Sequence, residues 1–409
     1  MIERVAYISM HTSPLAMPGV GNAGGMNVYL DRMARTLTER GIDVTVFTRR
    51  TSDDQPGVVE VERGYRVVHV VAGPVDVLPI GDLVGHVRTF AHGVMSWIED
   101  RSVTFDVVHS HYWLSGRTGV RIKRALDIPL ANSFHTLGKV KDAARGPREA
   151  PSSAERLLTE EEVIAESNCV IASTPFEFED LLEHYAASPE RLCVSPPGVD
   201  HDVFAPGSRS EARTRLDLGG ERIVLYVGRI QPHKGTTTAV EALALMPERD
   251  PTGRPIVLHL VGGTSGPDGA DELDRCHQVI ASHGLTDRVR FFDAVRHPVL
   301  ADHYRSADVV IVPSRSESFG LVAAEAQAGG IPVVAANTRG HPDVVNASES
   351  GLLVDGSDPA AYAAAARAIL DHDSFAERLA SGALDFSERF SWDAAATRLL
   401  ELYTGISGK

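Results

Sequence analysis

The sequence predicts an α/β protein of two doubly wound domains that face one another across a cleft. Three observations carry this expectation. The chain has 409 residues, too many for one ordinary core, because domains cluster at about 100–150 residues. Short β-branched runs alternate with segments of helical periodicity, the pattern of parallel strands joined by crossover helices. That alternation starts twice, at the amino terminus and again after the turn-rich Ser195–Asp200, SPPGVD.

In the first half, strands are expected at Arg4–Met10, Asp43–Thr48, Arg66–Val71, Asp106–His109, Ile128–Ser133 and Cys169–Ser173. Between the first two, Met26, Tyr29, Met33 and Leu37 recur at three- and four-residue spacing, and Gly41 follows where a helix would end. A helix therefore starts at the end of the glycine-rich stretch PGVGNAGGMNVYL, residues 18–30. In the second half the strands are expected at Arg222–Val227, Ile256–Val261, Val289–Phe292, Asp308–Val312, Ile331–Ala335 and Leu352–Val354, with a closing helix over Ser391–Tyr403. The expected organisation is a Rossmann-like domain over residues 1–198 and a second Rossmann-like domain over 199–385, with residues 386–409 as a helix packing back on the first. Doubly wound sheets bind ligands beyond the carboxyl ends of their strands, so the cleft is where chemistry is expected.

Composition excludes several classes. Forty basic against fifty-five acidic residues give a net charge of -15, a field that repels nucleic acids and anionic bilayers. The composition is 43% apolar and 23% charged, as in an ordinary globular protein. No run is apolar enough to span a membrane and MIERVAYISM has no leader pattern, which points to the cytoplasm. Cys169, Cys193 and Cys276 form no C-x-x-C pair, and are expected as reduced core residues.

Gly19-x-Gly21-x-x-Gly24 spells a dinucleotide fingerprint, but in a nicotinamide enzyme the glycines follow the strand at once and an acid ends the next strand. Here His11–Pro18 intervene and the next strand ends Thr48-Arg49-Arg50, so hydride transfer is set aside. Gly24-Gly25 retain a simpler use, letting backbone N–H groups and a helix dipole approach an anion. Gly228–Gly235, GRIQPHKG, sets Arg229 and Lys234 at the end of a strand. It is no Walker loop, because Lys precedes Gly, but two cations there can clamp a diphosphate and neutralise charge as it leaves. Glu317 and Glu325 stand eight apart in ESFGLVAAE, about 80° apart if on one continuous helix. His109, His111 and His135 leave a zinc site conceivable but without ligand spacing, and no G-x-S-x-G elbow is present.

Together, GGMNVY at Gly24–Tyr29, HSHYW at His109–Trp113, GRIQPHKG and ESFGLVAAE at Glu317–Glu325 resemble the retaining glycosyltransferases of family 4, and their order extends over the whole chain. The resemblance implies the GT-B fold, with residues 1–198 as the acceptor-binding domain and 199–385 as the nucleotide-sugar-binding domain, and a UDP-N-acetylglucosamine donor with an inositol phosphate-like acceptor. It implies that Arg229, Lys234, Glu317 and His135 carry catalysis: the two cations hold the donor pyrophosphate, Glu317 meets sugar hydroxyls and His135 lies beside the transferred sugar. Donor contacts would also come from Gly24, Gly25, Ser318, Phe319, Gly320, Leu321 and, at the ribose, Glu325. Acceptor contacts would come from His11, Asn22, Met26, Asn27, Ile80, Tyr112, Thr136 and Arg156. Asn22 stands where the family usually has Asp, and Ile80 where it has a phosphate-binding Lys. These departures leave a second reading, a natural-product enzyme using a UDP- or GDP-sugar and an aminocyclitol or a small thiol such as ergothioneine. A non-catalytic nucleotide-sugar-binding protein is the alternative of another class. No cofactor is needed for catalysis; the family's structural magnesium would sit on main-chain oxygens of Tyr304, Arg305 and Ala307. A homodimer is compatible with the sequence, which leaves oligomeric state open.

Overall fold

Each half of the chain builds its own parallel sheet. The computed structural model describes residues 1–146, 149–266 and 268–408. The first sheet contains β1 (Arg4–Ile8), β2 (Asp43–Arg49), β3 (Val58–Glu62), β4 (Tyr65–Val70), β5 (Val107–His111), β6 (Leu130–Ser133), β7 (Cys169–Ala172) and β8 (Leu192–Val194) in the order β3-β4-β2-β1-β5-β6-β7-β8. All neighbours are parallel except β3, which runs antiparallel to β4 at the edge. The second sheet contains β9 (Arg222–Val227), β10 (Ile256–Val261), β11 (Val289–Phe292), β12 (Val309–Val312), β13 (Val333–Ala336) and β14 (Gly351–Val354), ordered β11-β10-β9-β12-β13-β14. The central strands read as unbroken apolar runs because helices cover both faces; β9, β10, β12 and β13 are almost wholly buried.

Two strands escape the sequence reading for identifiable reasons. β3, VVEVE, is an edge strand with no fully buried residue, and β8 is only three residues long. Both lack the apolar run that marks a central strand.

In both sheets the strand order reverses beside the first strand of the half, β1 or β9, and that crevice faces the other sheet. Two close contacts join the halves where the chain crosses between them: Val199 N–H donates to Phe390 O at 2.8 Å, and Gly198 leaves a Cβ no room against the Trp392 backbone. The helix Trp392–Ser407 then packs on the first half. Its Trp392, Ala396, Leu399 and Tyr403 share a core with Val5, Tyr7, Leu30 and Met33, and Arg40 pairs with Asp393 at its start.

The cysteine expectation is overturned. Cys169 and Cys193 form a disulfide between adjacent strands β7 and β8, with Cα atoms 6.3 Å apart, while Cys276 is free and buried. Parallel pairing sets Ile171 opposite Cys193, which brings the two sulfurs together although they are 24 residues apart in sequence. Cysteine usage therefore no longer argues for a reducing compartment. Among the described residues, no helix is long and apolar enough to cross a membrane.

Candidate active site

The crevices of the two sheets open into one cavity of about 340 Å³. On the first half's side, a long loop after β1 ends in the helix Gly25–Glu39, whose apolar positions Tyr29, Leu30, Met33 and Leu37 lie against the sheet. Asn27 fixes that loop: its Oδ1 accepts from Gly24 N–H at 2.9 Å, while its Nδ2 donates to Thr12 Oγ1 at 2.7 Å and to Ser13 O at 2.6 Å. Such a side chain satisfies an orphan N–H at the helix start and holds the loop in one shape. A Cβ on Gly25 would lie 2.9 Å from Leu321 Cδ1, so glycine lets the helix end reach the opposite half.

On the other side, β9 runs directly into Arg229 and the turn Pro232–Lys234. Lys234 Nζ donates to Glu317 Oε2 at 2.7 Å, both side chains remaining partly open to the cavity. Burial alone would push the Glu317 carboxyl up, but Lys234, His341 and the Ser318 backbone together outweigh it and hold Glu317 below the usual carboxylate range. Burial lowers Arg229, which stays charged because a guanidinium does not deprotonate in a protein. The helix behind Glu317 starts only at Leu321. Glu317 therefore precedes the helix and the two acids do not share one helical face; both nevertheless line the cavity. Burial raises Glu325 to about 7, against the opposing hydrogen bond that Tyr304 Oη donates to it at 2.8 Å.

The cavity brings together His11, Asn22, Gly24, Gly25, Met26, Ile80, Tyr112, His135, Thr136, Arg229, Lys234, Glu317, Ser318, Phe319, Gly320, Leu321 and Glu325. Two of the residues expected to touch a ligand stand behind this lining. Asn27 is buried as the loop clamp just described, and Arg156 backs the wall. Arg156 Nε donates to buried Glu160 at 2.7 Å and Nη2 to Thr136 O at 2.9 Å, with its guanidinium 5.3 Å from the Tyr112 ring centroid. Its charge is thus already matched. The His11 ring lies 4.6 Å from that of Tyr112, tilted by 43°, and its pKa is lowered to about 3, first by burial and then by His135 and nearby arginines; it is neutral at pH 7.

Sequence reasoning missed Gly228, Gly262, Ala294 and His297, which also line the cavity. The signal was present in V-G at the carboxyl end of both β9 and β10, where ligands meet such sheets. The halves meet across the site: Ser318 Oγ donates to His135 O and Ser265 Oγ to Gly21 O, and Arg339 pairs with Asp180 at 2.7 Å.

Tyr304, Arg305 and Ala307, whose main-chain oxygens were expected to face a magnesium ion, lie at the carboxyl end of the helix His297–Ser306. The Tyr304 carbonyl accepts from Ala307 N–H at 3.0 Å, and the Arg305 guanidinium donates to Ala205 O and Val203 O. Among the described residues no group of three or more His, Cys, Asp and Glu is placed to hold a metal, and His109, His111 and His135 form none.

Residues 23–203 match the family described as "Glycosyltransferase Family 4" and residues 208–385 the family "Glycosyl transferases group 1". The chain is 44% identical to a D-inositol 3-phosphate glycosyltransferase of Thermomonospora curvata, over 99% of this chain and 96% of that one. It is 46% identical to a protein of the same name from Geodermatophilus obscurus, covering 99% and 90%. Among solved structures, a sucrose-phosphate synthase from Thermosynechococcus elongatus is 32% identical with a TM-score of 0.91 over 99% of both chains. Anabaena HepE, solved with UDP-glucose, shares the fold at 19% identity and a TM-score of 0.77, over 98% of this chain and 99% of that one. The chain is a glycosyltransferase and belongs to family 4, the enzymes built from two Rossmann-like domains in the GT-B fold.

Proposed function

We propose that the cavity transfers a sugar from a nucleoside-diphosphate donor, UDP-N-acetylglucosamine by resemblance, to a small polar acceptor with retention of configuration. The observation that carries this reading is the convergence of Arg229, Lys234 and Glu317 on one cavity between the two sheets. Arg229 and Lys234 would hold the diphosphate and offset the charge that grows as it leaves, a stabilisation strongest in a site closed to water. Gly25 and the start of the helix Leu321–Ala328 add N–H dipoles. Glu325 would receive the ribose hydroxyls. Glu317, fixed by Lys234, would receive sugar hydroxyls rather than attack carbon, so the departing phosphate oxygen itself takes the acceptor's proton on the face it leaves. That geometry gives retention without a covalent enzyme intermediate. Contacts between the halves at Ser318 and Ser265 would complete the site on closure.

The acceptor is assigned to the side lined by His11, Asn22, Ile80, Tyr112 and Thr136. The relatives' names favour inositol 3-phosphate. Ile80 in the lining and an Arg156 already matched by Glu160 favour an acceptor without phosphate, a cyclitol, aminocyclitol or small thiol. A thermal-shift panel of UDP-, GDP- and TDP-sugars, followed by nucleoside diphosphate release with each acceptor, tests both. Release that depends on acceptor is expected. Stabilisation by a sugar nucleotide without any acceptor-dependent release would instead support a binding protein, and no stabilisation by any of them would overturn the reading.

A further inference from the structure

His109 and His111, side by side on one face of β5, have no role in the transfer described above, yet they are buried against the one catalytic candidate with a strained backbone. His135 has φ of +59°, a conformation that non-glycine residues hold only when their surroundings impose it. Its carbonyl accepts from Ser318 across the cleft, and its Nε2 meets His111 Nδ1 at 3.0 Å, with the two rings stacked 5.2 Å apart. His111 is wholly enclosed. Its ring lies 4.1 Å from that of His109, 5.0 Å from Tyr7 and 5.7 Å from Tyr29, and its Nε2 is buried with no partner. His109, by contrast, has both nitrogens occupied, Nδ1 by Tyr403 Oη at 2.6 Å and Nε2 by Ser133 Oγ at 3.0 Å.

Burial keeps all three imidazoles neutral at pH 7, with His135 lowered to about 4, so each carries one ring proton. Two arrangements satisfy the single bond between His111 and His135. If His135 donates, His111 must keep its proton on Nε2, a buried N–H with nothing to receive it. If His111 donates from Nδ1, its Nε2 is left as an unused lone pair. Orphaned buried N–H groups are the rarer vacancy in folded proteins, which selects the second arrangement. His135, accepting at Nε2, then carries its own proton on Nδ1. That atom has no partner among the described residues and, unlike His111 Nε2, is not sealed from solvent, and His135 lines the cavity.

We infer that His111 is a positioning residue that fixes His135 as the Nδ1–H tautomer, making the cavity-facing nitrogen a hydrogen-bond donor to an oxygen of the bound donor substrate. A donor held there in advance stabilises negative charge without reorganising when the diphosphate departs. The wrong tautomer would present a lone pair to the same oxygen and repel it. The kinetic part of the inference rests on the proposed glycosyl transfer; the tautomer does not.

The decisive measurement is a two-bond 1H–15N correlation spectrum of the full chain labelled with [15N]histidine, which distinguishes the tautomers of each ring. His135 signals are identified by their loss in His135→Gln. The expected result is Nδ1–H at His135 in the wild-type protein, retained in His111→Asn, whose amide can still donate, and replaced by a tautomer mixture in His111→Leu. In turnover, His111→Leu should lose roughly 10- to 100-fold in kcat with donor KM within about twofold, and His111→Asn should recover most of it. An Nε2–H signal at His135 in the wild type overturns the inference, as does His111→Leu with an unchanged tautomer. Should His111→Leu fail to fold, the wild-type and His111→Asn spectra decide. If no sugar nucleotide supports transfer, the functional reading fails while the spectrum still tests the tautomer.

Discussion

Replacing Glu325 by Gln removes a buried carboxyl whose proton affinity differs most usefully between the folded and unfolded chain. Its ordinary value is 4.5 and burial raises it to about 7 in the folded protein, with Tyr304 opposing the shift. At about 1.4 kcal/mol per unit, that difference corresponds to about 3 kcal/mol. The sign follows from which state holds the proton more tightly. The folded protein does, so this stabilisation is complete below about pH 4.5 and is lost as pH rises through about 7. Gln is neutral throughout and nearly isosteric, so the variant lacks this loss. Glu177 is also raised to about 7 by burial, but it is present in both proteins and cancels in the comparison. Differential scanning fluorimetry from pH 5 to pH 8 should therefore show the wild-type midpoint falling more than the variant's. The expected gap is roughly 6–12 °C, taking about 2–4 °C per kcal/mol for a domain of this size. Identical pH dependence in the two proteins would refute the buried-carboxyl argument. Under the proposed function the same group must ionise to receive ribose hydroxyls, so nucleotide binding should release protons near pH 6.5. Calorimetry in buffers of different ionisation enthalpy reads this directly.

Lys234→Ala removes the 2.7 Å partner of Glu317 and one cation from the proposed diphosphate clamp; kcat for sugar transfer should fall about 10²- to 10³-fold, measured as nucleoside diphosphate release. Ile80→Lys returns a cation to the acceptor side of the cavity. It should strengthen apparent binding of a phosphorylated cyclitol by about 1.5–3 kcal/mol, roughly 10- to 150-fold, without comparable gain for the unphosphorylated form; equal effects on both acceptors would contradict the charge argument. Gly262 has φ of +142° and a Cβ there would meet Gly228 O at 2.1 Å, so Gly262→Ala should distort the ends of β9 and β10. Soluble yield and donor-induced thermal shift should both drop, whereas Gly284→Ala, whose Cβ meets nothing within 4 Å, should keep the thermal shift and pay only for its positive φ.

Periodicity and motif order make the two-sheet α/β architecture legible in the sequence, because buried parallel strands need uninterrupted β-branched runs and crossover helices need a 3.6-residue apolar repeat. RIVLYV, IVLHLV and RVAYIS are strands on almost any reading; VVEVE is not, since an edge strand buries too little to carry the signal. The loop motifs around Gly24, Arg229 and Glu317 are equally local, and one cavity contains them all. Pairings between distant segments were beyond reach. The sequence alone could say nothing of the Cys169–Cys193 link across β7 and β8, of Asn27 acting as a loop clamp, or of Arg156 already matched by Glu160. Nor could it give the hydrogen bond between His111 and His135, or bring Tyr403 from the last helix to His109. Local residue order determines which elements form and what groups their ends display. Register, burial and the closing of one half on the other decide which of those groups meet, which protons they carry and which remain free to bind.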